Sequence, residues 1–206
     1  DRLLLIARWG VGYDFLDMKA CTEAGVMVTI TPNAVRRPVA TANIAMILAL
    51  STRLFNKDAD VRSGLWQKNS LKNPGIGLKG KKLGSIGFGN IAKETFTLMR
   101  NFDMEFLGYS PSAKQEDATP LGVQIVDLLT LIRESDYLMI NCPLTDKTYH
   151  MLGPVELAEM KPSAYLINLS RGAIIHEDAL VKALQDGKIA GAGLDVYEHE
   201  PMTAGH

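Results

Sequence analysis

Short, near-continuous apolar runs alternate with helix-period segments along almost the whole chain. No other feature of the sequence restricts the fold as much. Runs at Leu3–Ala7, Val26–Ile30, Lys82–Ile86, Glu105–Tyr109, Tyr137–Asn141, Ala164–Leu169 and Ala190–Val196 read as strands. They lack the in–out alternation of a half-exposed sheet, so each is expected to be covered on both faces, with Leu3–Ala7 already a core strand. Helical periodicity occupies Phe15–Glu23, Val39–Arg62, Asn90–Phe102, Val126–Glu134 and Glu177–Asp186. Strand, helix, strand in repetition gives an α/β fold with a doubly wound parallel sheet.

Composition fits a packed domain. The chain has 206 residues, 47% apolar and 22% charged, which excludes disorder as its overall state. A formal net charge of −1 supplies no positive field for nucleic acid or an anionic membrane. Cys21 and Cys142 cannot build a disulfide framework and match no metal spacing, so a reducing cytoplasm is the simplest setting. No secretory signal pattern is present, and the longest apolar run, Ile44–Leu50, is much too short to span a bilayer. Both ends look cut, so a piece of a longer protein is expected. A boundary is expected near Thr31-Pro32-Asn33, dividing 1–31 from 32–206. Beyond it lies the longest helix, with a buried stripe of Ile44, Ile47, Leu48, Leu50 and Leu54. That helix is either a dimer arm or packed on its own domain. Asn69–Gly80 reads as an exposed connection.

One turn carries recognisable chemistry. Gly87-Phe88-Gly89-Asn90-Ile91-Ala92 fits G-x-G-x-x-G/A, follows a strand and opens a helix, as a Rossmann-like dinucleotide site requires. Gly87 permits the tight turn, Gly89 lets backbone approach a pyrophosphate, and Ala92 lets helix and strand pack closely. The pyrophosphate would sit on free N–H groups at the positive end of the helix dipole. An acidic residue for the ribose hydroxyls is expected at the end of the next strand, but Ser110 stands there. Glu105 lies at the wrong end of that strand and reads as solvated. Ser110, Ser112 and Lys114 can instead accept a 2′-phosphate, which leaves NAD and NADP both open.

Two further strands end in polar residues, where open α/β sheets bind their ligands. Ala164–Leu169 leads into Ser170-Arg171-Gly172, and a guanidinium there either grips a carboxylate or lies in a surface loop. Gly193-Leu194-Asp195 leads to Glu198-His199-Glu200-Pro201, and Asp195 either faces the same crevice or bonds local backbone. Trp9 and Tyr13 either shape a pocket or pack in the core.

Four segments together resemble the D-isomer-specific 2-hydroxyacid dehydrogenase family: Arg8–Asp14, the glycine turn, Asn141-Cys142-Pro143-Leu144-Thr145 through Thr148, and Asn168–Gly172 running on through Leu180 to Glu200-Pro201. The resemblance implies an NAD(P)-dependent oxidoreductase that interconverts a D-2-hydroxy acid and its 2-keto acid. It also implies that 1–31 is the remnant of a flavodoxin-like substrate domain. By the same resemblance, the amides of Val11 and Gly12 hold the substrate carboxylate, and Arg171 binds it and polarises the keto oxygen. Gly87, Phe88, Gly89, Asn90 and Ile91 would meet the pyrophosphate, with Ser110 at the ribose. Cys142, Pro143, Thr148, Leu169, Ser170 and Arg171 would line the cofactor, and Asp195 would take the nicotinamide carboxamide. Glu200, 29 positions after Arg171 as in the family, would pair with a catalytic histidine.

That histidine should follow Glu200 by a strand and a loop, and His206 comes first. His199 would project elsewhere, His206 is terminal, and His150 and His176 read as exposed or capping. Impaired turnover of this chain is therefore expected. A homodimer through Val39–Arg62 is expected as well. Two rival readings are a dinucleotide-sensing, corepressor-like module without turnover and a structural domain without ligand.

Overall fold

The structure is a computed structural model and describes residues 3–66 and 75–203. Six parallel strands form its main sheet: β3 (Lys82–Ile86), β4 (Glu105–Tyr109), β5 (Val123–Ile125), β6 (Tyr137–Ile140), β7 (Tyr165–Asn168) and β8 (Gly191–Leu194). Their order is β5-β4-β3-β6-β7-β8, so the chain winds one way from β3 and the other way from β6. The gap between those two strands is the switch point at which doubly wound sheets bind ligands.

Both faces of this sheet are covered, which explains the unbroken apolar runs. In β6, Leu138 and Ile140 pack on one side with Leu131, Leu157 and Leu166. Tyr137 and Met139 pack on the other with Ile47, Phe96 and Ile167. All four β6 residues are buried, and each such large side chain contributes roughly 1.5–3 kcal/mol. The second face is closed by α4 (Asn90–Met99) and α2 (Pro32–Thr52), which lie against each other. Leu50 and Met46 of α2 reach β8, where Gly191 and Gly193 leave room for them.

The long helix expected over Val39–Arg62 begins earlier and is broken. It forms α2 and α3 (Leu54–Arg62), joined at Arg53 in the left-handed region with φ 53° and bent by 60°. Ser51 and Thr52 both donate their hydroxyls back to the Leu48 carbonyl, at 3.0 and 2.6 Å, and such bonds compete with the helical ladder. Past the bend, Leu54 leaves the expected buried stripe and is exposed. Among the described residues, no single helix is long and apolar enough to cross a membrane.

The amino-terminal segment also departs from expectation. β1 (Leu5–Arg8) and β2 (Met27–Ile30) pair in parallel as a separate two-stranded sheet. With the six-residue α1 (Met18–Glu23) beside it, Leu3, Leu4 and Leu5 stay exposed rather than entering a core. Phe15 lies outside that helix because Asp17 caps it, accepting from the Ala20 amide at 2.9 Å. Of the connection over Asn69–Gly80, residues 69–74 lie outside the described residues. Gly75–Gly77 is exposed as expected, whereas Leu78 is buried.

Further along the chain, α5 (Gln115–Ala118), α6 (Leu128–Glu134), α7 (Pro154–Ala158) and α8 (Glu177–Gln185) complete the layers. β5, α5 and α7 went unread in the sequence because three to five residues are too few to establish a period.

Candidate active site

The glycine turn lies at the carboxyl end of β3, beside the switch point. Gly87 has φ +98°, and a Cβ there would stand 2.5 Å from the Asn141 carbonyl oxygen at the end of β6. Only glycine fits that turn without displacing the neighbouring loop. Its N–H donates to the Tyr109 carbonyl at 2.7 Å, which ties the turn to β4 as well. Gly89 differs, because a Cβ on it would meet nothing within 4 Å. It caps α4 without any side-chain hydrogen bond, so the first amides of that helix, at Asn90 and Ile91, have no acceptor within the helix. Ala92 is fully buried under them, and Phe88 is buried beside them.

Behind this turn runs a chain of side-chain hydrogen bonds. Asn43 of α2 donates to Asn141 Oδ1 (3.2 Å), Asn141 Nδ2 donates to Ser85 Oγ (3.0 Å), and Ser85 donates to the Gly87 carbonyl (2.8 Å). Asn43 and Ser85 are fully buried. Sequence reading missed this set because single polar residues inside apolar runs show no period.

The other candidates gather at the same edge of the sheet. Ser110 follows β4 in a turn closed by Ala113 N–H to its carbonyl at 3.1 Å, and no carboxylate occurs from Ser110 to Lys114. Glu105 sits at the opposite end of β4, mostly exposed, with Lys82 at 3.8 Å. Cys142 is buried beyond β6, which pushes its thiol up to about 11. Its carbonyl accepts from Ser170 Oγ at 2.5 Å, so the loops after β6 and β7 are joined. Pro143 is exposed, and its carbonyl accepts from Thr148 Oγ1 at 2.7 Å. Thr148 also accepts from the Thr145 amide at 2.8 Å, so its hydroxyl shapes the loop. Leu169 is half-buried against the core. Asp195 is exposed just past β8, and its backbone N–H donates to the Asn168 carbonyl at 3.0 Å.

Arg171 reaches out of this edge toward the amino-terminal segment. Asn168 shapes the bend before it, donating to the Arg171 carbonyl (2.9 Å) and accepting from the Ser170 amide (3.0 Å). The guanidinium meets Asp14 side-on: Nε lies 3.0 and 2.9 Å from the two carboxylate oxygens, and Nη2 lies 2.8 Å from Oδ1. This pairing holds the Asp14 carboxyl below the usual carboxylate range and raises Arg171. Gly12 lies directly beneath, where a Cβ would come within 1.8 Å of Arg171 Nη2. Val11, next to it, is exposed, and Arg8 braces the loop by donating to the Gly12 carbonyl at 3.2 Å. Asp14 lies within a motif already singled out, yet no role attached to it from sequence.

Glu200 is exposed and accepts from the Tyr197 amide at 2.9 Å. Gly172 makes this approach possible, since a Cβ on it would fall 1.9 Å from the Tyr197 carbonyl carbon. Glu198 is the better-held acid, with His150 Nε2 at 2.6 Å. His150 is therefore mostly buried and hydrogen-bonded to Glu198, rather than exposed or capping. His176 does cap, its Nδ1 accepting from the Ala179 amide at 3.4 Å. Among the described residues no histidine is hydrogen-bonded to Glu200. His206 lies outside them.

Known proteins resemble this chain in sequence and fold. Residues 44–206 match the family model described as D-isomer specific 2-hydroxyacid dehydrogenase, NAD binding domain. A glyoxylate reductase of Thermococcus litoralis is 45% identical over 205 residues, covering 97% of this chain and 62% of that protein. The crystal structure of a glyoxylate reductase from Paecilomyes thermophila superposes with a TM-score of 0.89 at 34% identity, covering 98% of this chain and 61% of that one. That of D-lactate dehydrogenase from Aquifex aeolicus, complexed with NAD and lactic acid, gives 0.89 at 35% identity, covering 96% and 59%. The chain thus spans about three fifths of the length of these relatives. It belongs to the D-isomer specific 2-hydroxyacid dehydrogenase family and carries that family's NAD-binding domain.

Proposed function

We propose that the chain binds a nicotinamide dinucleotide, NAD or NADP, across the β3–β6 switch point. Beside it the chain would take the carboxylate of a small 2-hydroxy or 2-keto acid. One observation carries the reading: an open, uncapped glycine turn lies at the same sheet edge as a guanidinium that faces a glycine-rich loop. The residues fit the dinucleotide. Gly89 leaves space where phosphates would lie, and the first amides of α4, at Asn90 and Ile91, are free of helical acceptors beside it. When bound, the dinucleotide supplies or accepts a hydride at its nicotinamide ring. The chain's own residues bind and orient. Val11 and Gly12 amides and Arg171 hold the acid, and Arg171 stabilises negative charge as it develops on the substrate oxygen. Cys142, Pro143, Leu169 and Ser170 would line the adenosine and nicotinamide sites, and Asp195 would take the nicotinamide carboxamide, with Thr148 setting the loop that carries Pro143. Glu200 would orient and charge-match a proton-transferring histidine.

We infer that Glu200 serves turnover through a histidine, so that Glu200→Gln lowers turnover at least about a hundredfold. Following NADH and NADPH oxidation with glyoxylate tests this, and an unchanged rate in the variant would refute it. A second reading, a dinucleotide-dependent association module, is favoured by the exposed apolar face of α3 and Trp66. It predicts cofactor-dependent dimerisation without turnover. Titrating both cofactors against the chain and its Ser110→Asp variant locates the ribose site. The placement fails if that change does not shift preference toward NADH.

A further inference from the structure

Arg171 is held in a way that the proposed carboxylate grip does not by itself require. A guanidinium has five N–H groups. Asp14 engages Nε and Nη2 along one side, and Nη1 donates to the Ser170 carbonyl at 2.8 Å. One N–H on each terminal nitrogen is left over, and the Arg171 side chain is still 33% exposed. The carboxylate comes from the loop after β1, and the arginine comes from the loop after β7. Gly12, two residues before Asp14, touches the same Nη2.

We propose that Asp14 is a positioning residue: its side-on carboxylate fixes the Arg171 guanidinium over Gly12, so that the remaining N–H of Nη1 and of Nη2 face an incoming 2-keto acid. This rests on the reading of Arg171 as the carboxylate-binding group. A long, unbranched side chain otherwise samples many rotamers, and the Asp14 bonds remove that freedom before the ligand arrives. Arg8 reinforces the arrangement by donating to the Gly12 carbonyl, which fixes the loop that carries Asp14.

The test uses oxalate, an unreactive anion with the carboxylate–carbonyl frame of a 2-keto acid, titrated calorimetrically into the NADH-loaded chain. Asp14→Ala is expected to weaken oxalate by about tenfold or more, and Asp14→Asn, which keeps one acceptor oxygen, by less. NADH affinity is expected to stay at the parent value, which a general loss of structure in the variants would not allow. In the ligand-free chain, the Arg171 Nε–H resonance is expected to be slow to exchange with solvent in the parent and fast in Asp14→Ala. Unchanged oxalate affinity in both variants overturns the proposal and leaves the Arg171 reading intact. Tighter oxalate binding also overturns it, since Asp14 would then be a rival of the ligand. If the parent chain takes NADH but no oxalate, the Arg171 reading falls and this inference falls with it. Should Asp14→Ala not fold, Asp14→Asn and the exchange measurement decide.

Discussion

Two glycines in one turn answer to different constraints. At Gly87 a methyl group would collide with the backbone of Asn141 and Cys142, in a conformation that side chains rarely adopt. Gly87→Ala is therefore expected to lower unfolding free energy by roughly 2–4 kcal/mol and to remove dinucleotide binding with it. At Gly89 a methyl group meets open space in extended backbone, so Gly89→Ala should leave stability within about 0.5 kcal/mol. Its cost falls on the ligand, because the added carbon occupies the approach to the α4 amides. Denaturant titration beside NADH titration separates the two effects. Equal loss of affinity and stability at Gly89 would contradict the proposed phosphate position. This turn was legible in sequence because its glycines have fixed spacing. The acceptor of the Gly87 amide, the Tyr109 carbonyl, was not, since backbone partners leave no trace in residue identity.

Between elements, the Asp14–Arg171 bond joins the loop after β1 to the loop after β7 and gives the molecule a pH signature. Asp14 titrates lower in the folded chain than its ordinary value of 3.8, chiefly through the hydrogen bonds from Arg171. A carboxyl lowered on folding contributes stability that is fully present above the unfolded value and is lost as pH falls through the folded one. The stability gap between the parent and Asp14→Asn should thus be flat from pH 8 to pH 5 and close below pH 3.8. Urea titrations across that range check the sign, and a gap that grows on acidification would contradict it. Strand and helix order were legible from apolar rhythm for every element long enough to show one. The 60° break at Arg53 was not, since it depends on two hydroxyls turning back to one carbonyl. The His150–Glu198 pair was invisible for a similar reason, joining residues 48 positions apart.

For the molecule as a whole, the surface of α3 and the residues after it stands out. Phe55 is 69% and Val61 62% exposed on a helix that buries no residue of its own, and Trp66, past its end, is 77% exposed. A second copy of this chain is the partner we propose for these exposed apolar side chains. Sedimentation of the chain is expected to give a dimer, and Phe55→Glu a monomer with unchanged NADH affinity. A parent that sediments as a monomer with and without NADH would remove the dimer from the reading. At the other end of the scale, the linked amides of Asn43 and Asn141 with the Ser85 hydroxyl hold the Gly87 carbonyl from behind. Folding has already frozen the curve that the phosphates would meet. A docking nucleotide has nothing to mould at that bend, and the entropy of shaping it is spent when the sheet assembles.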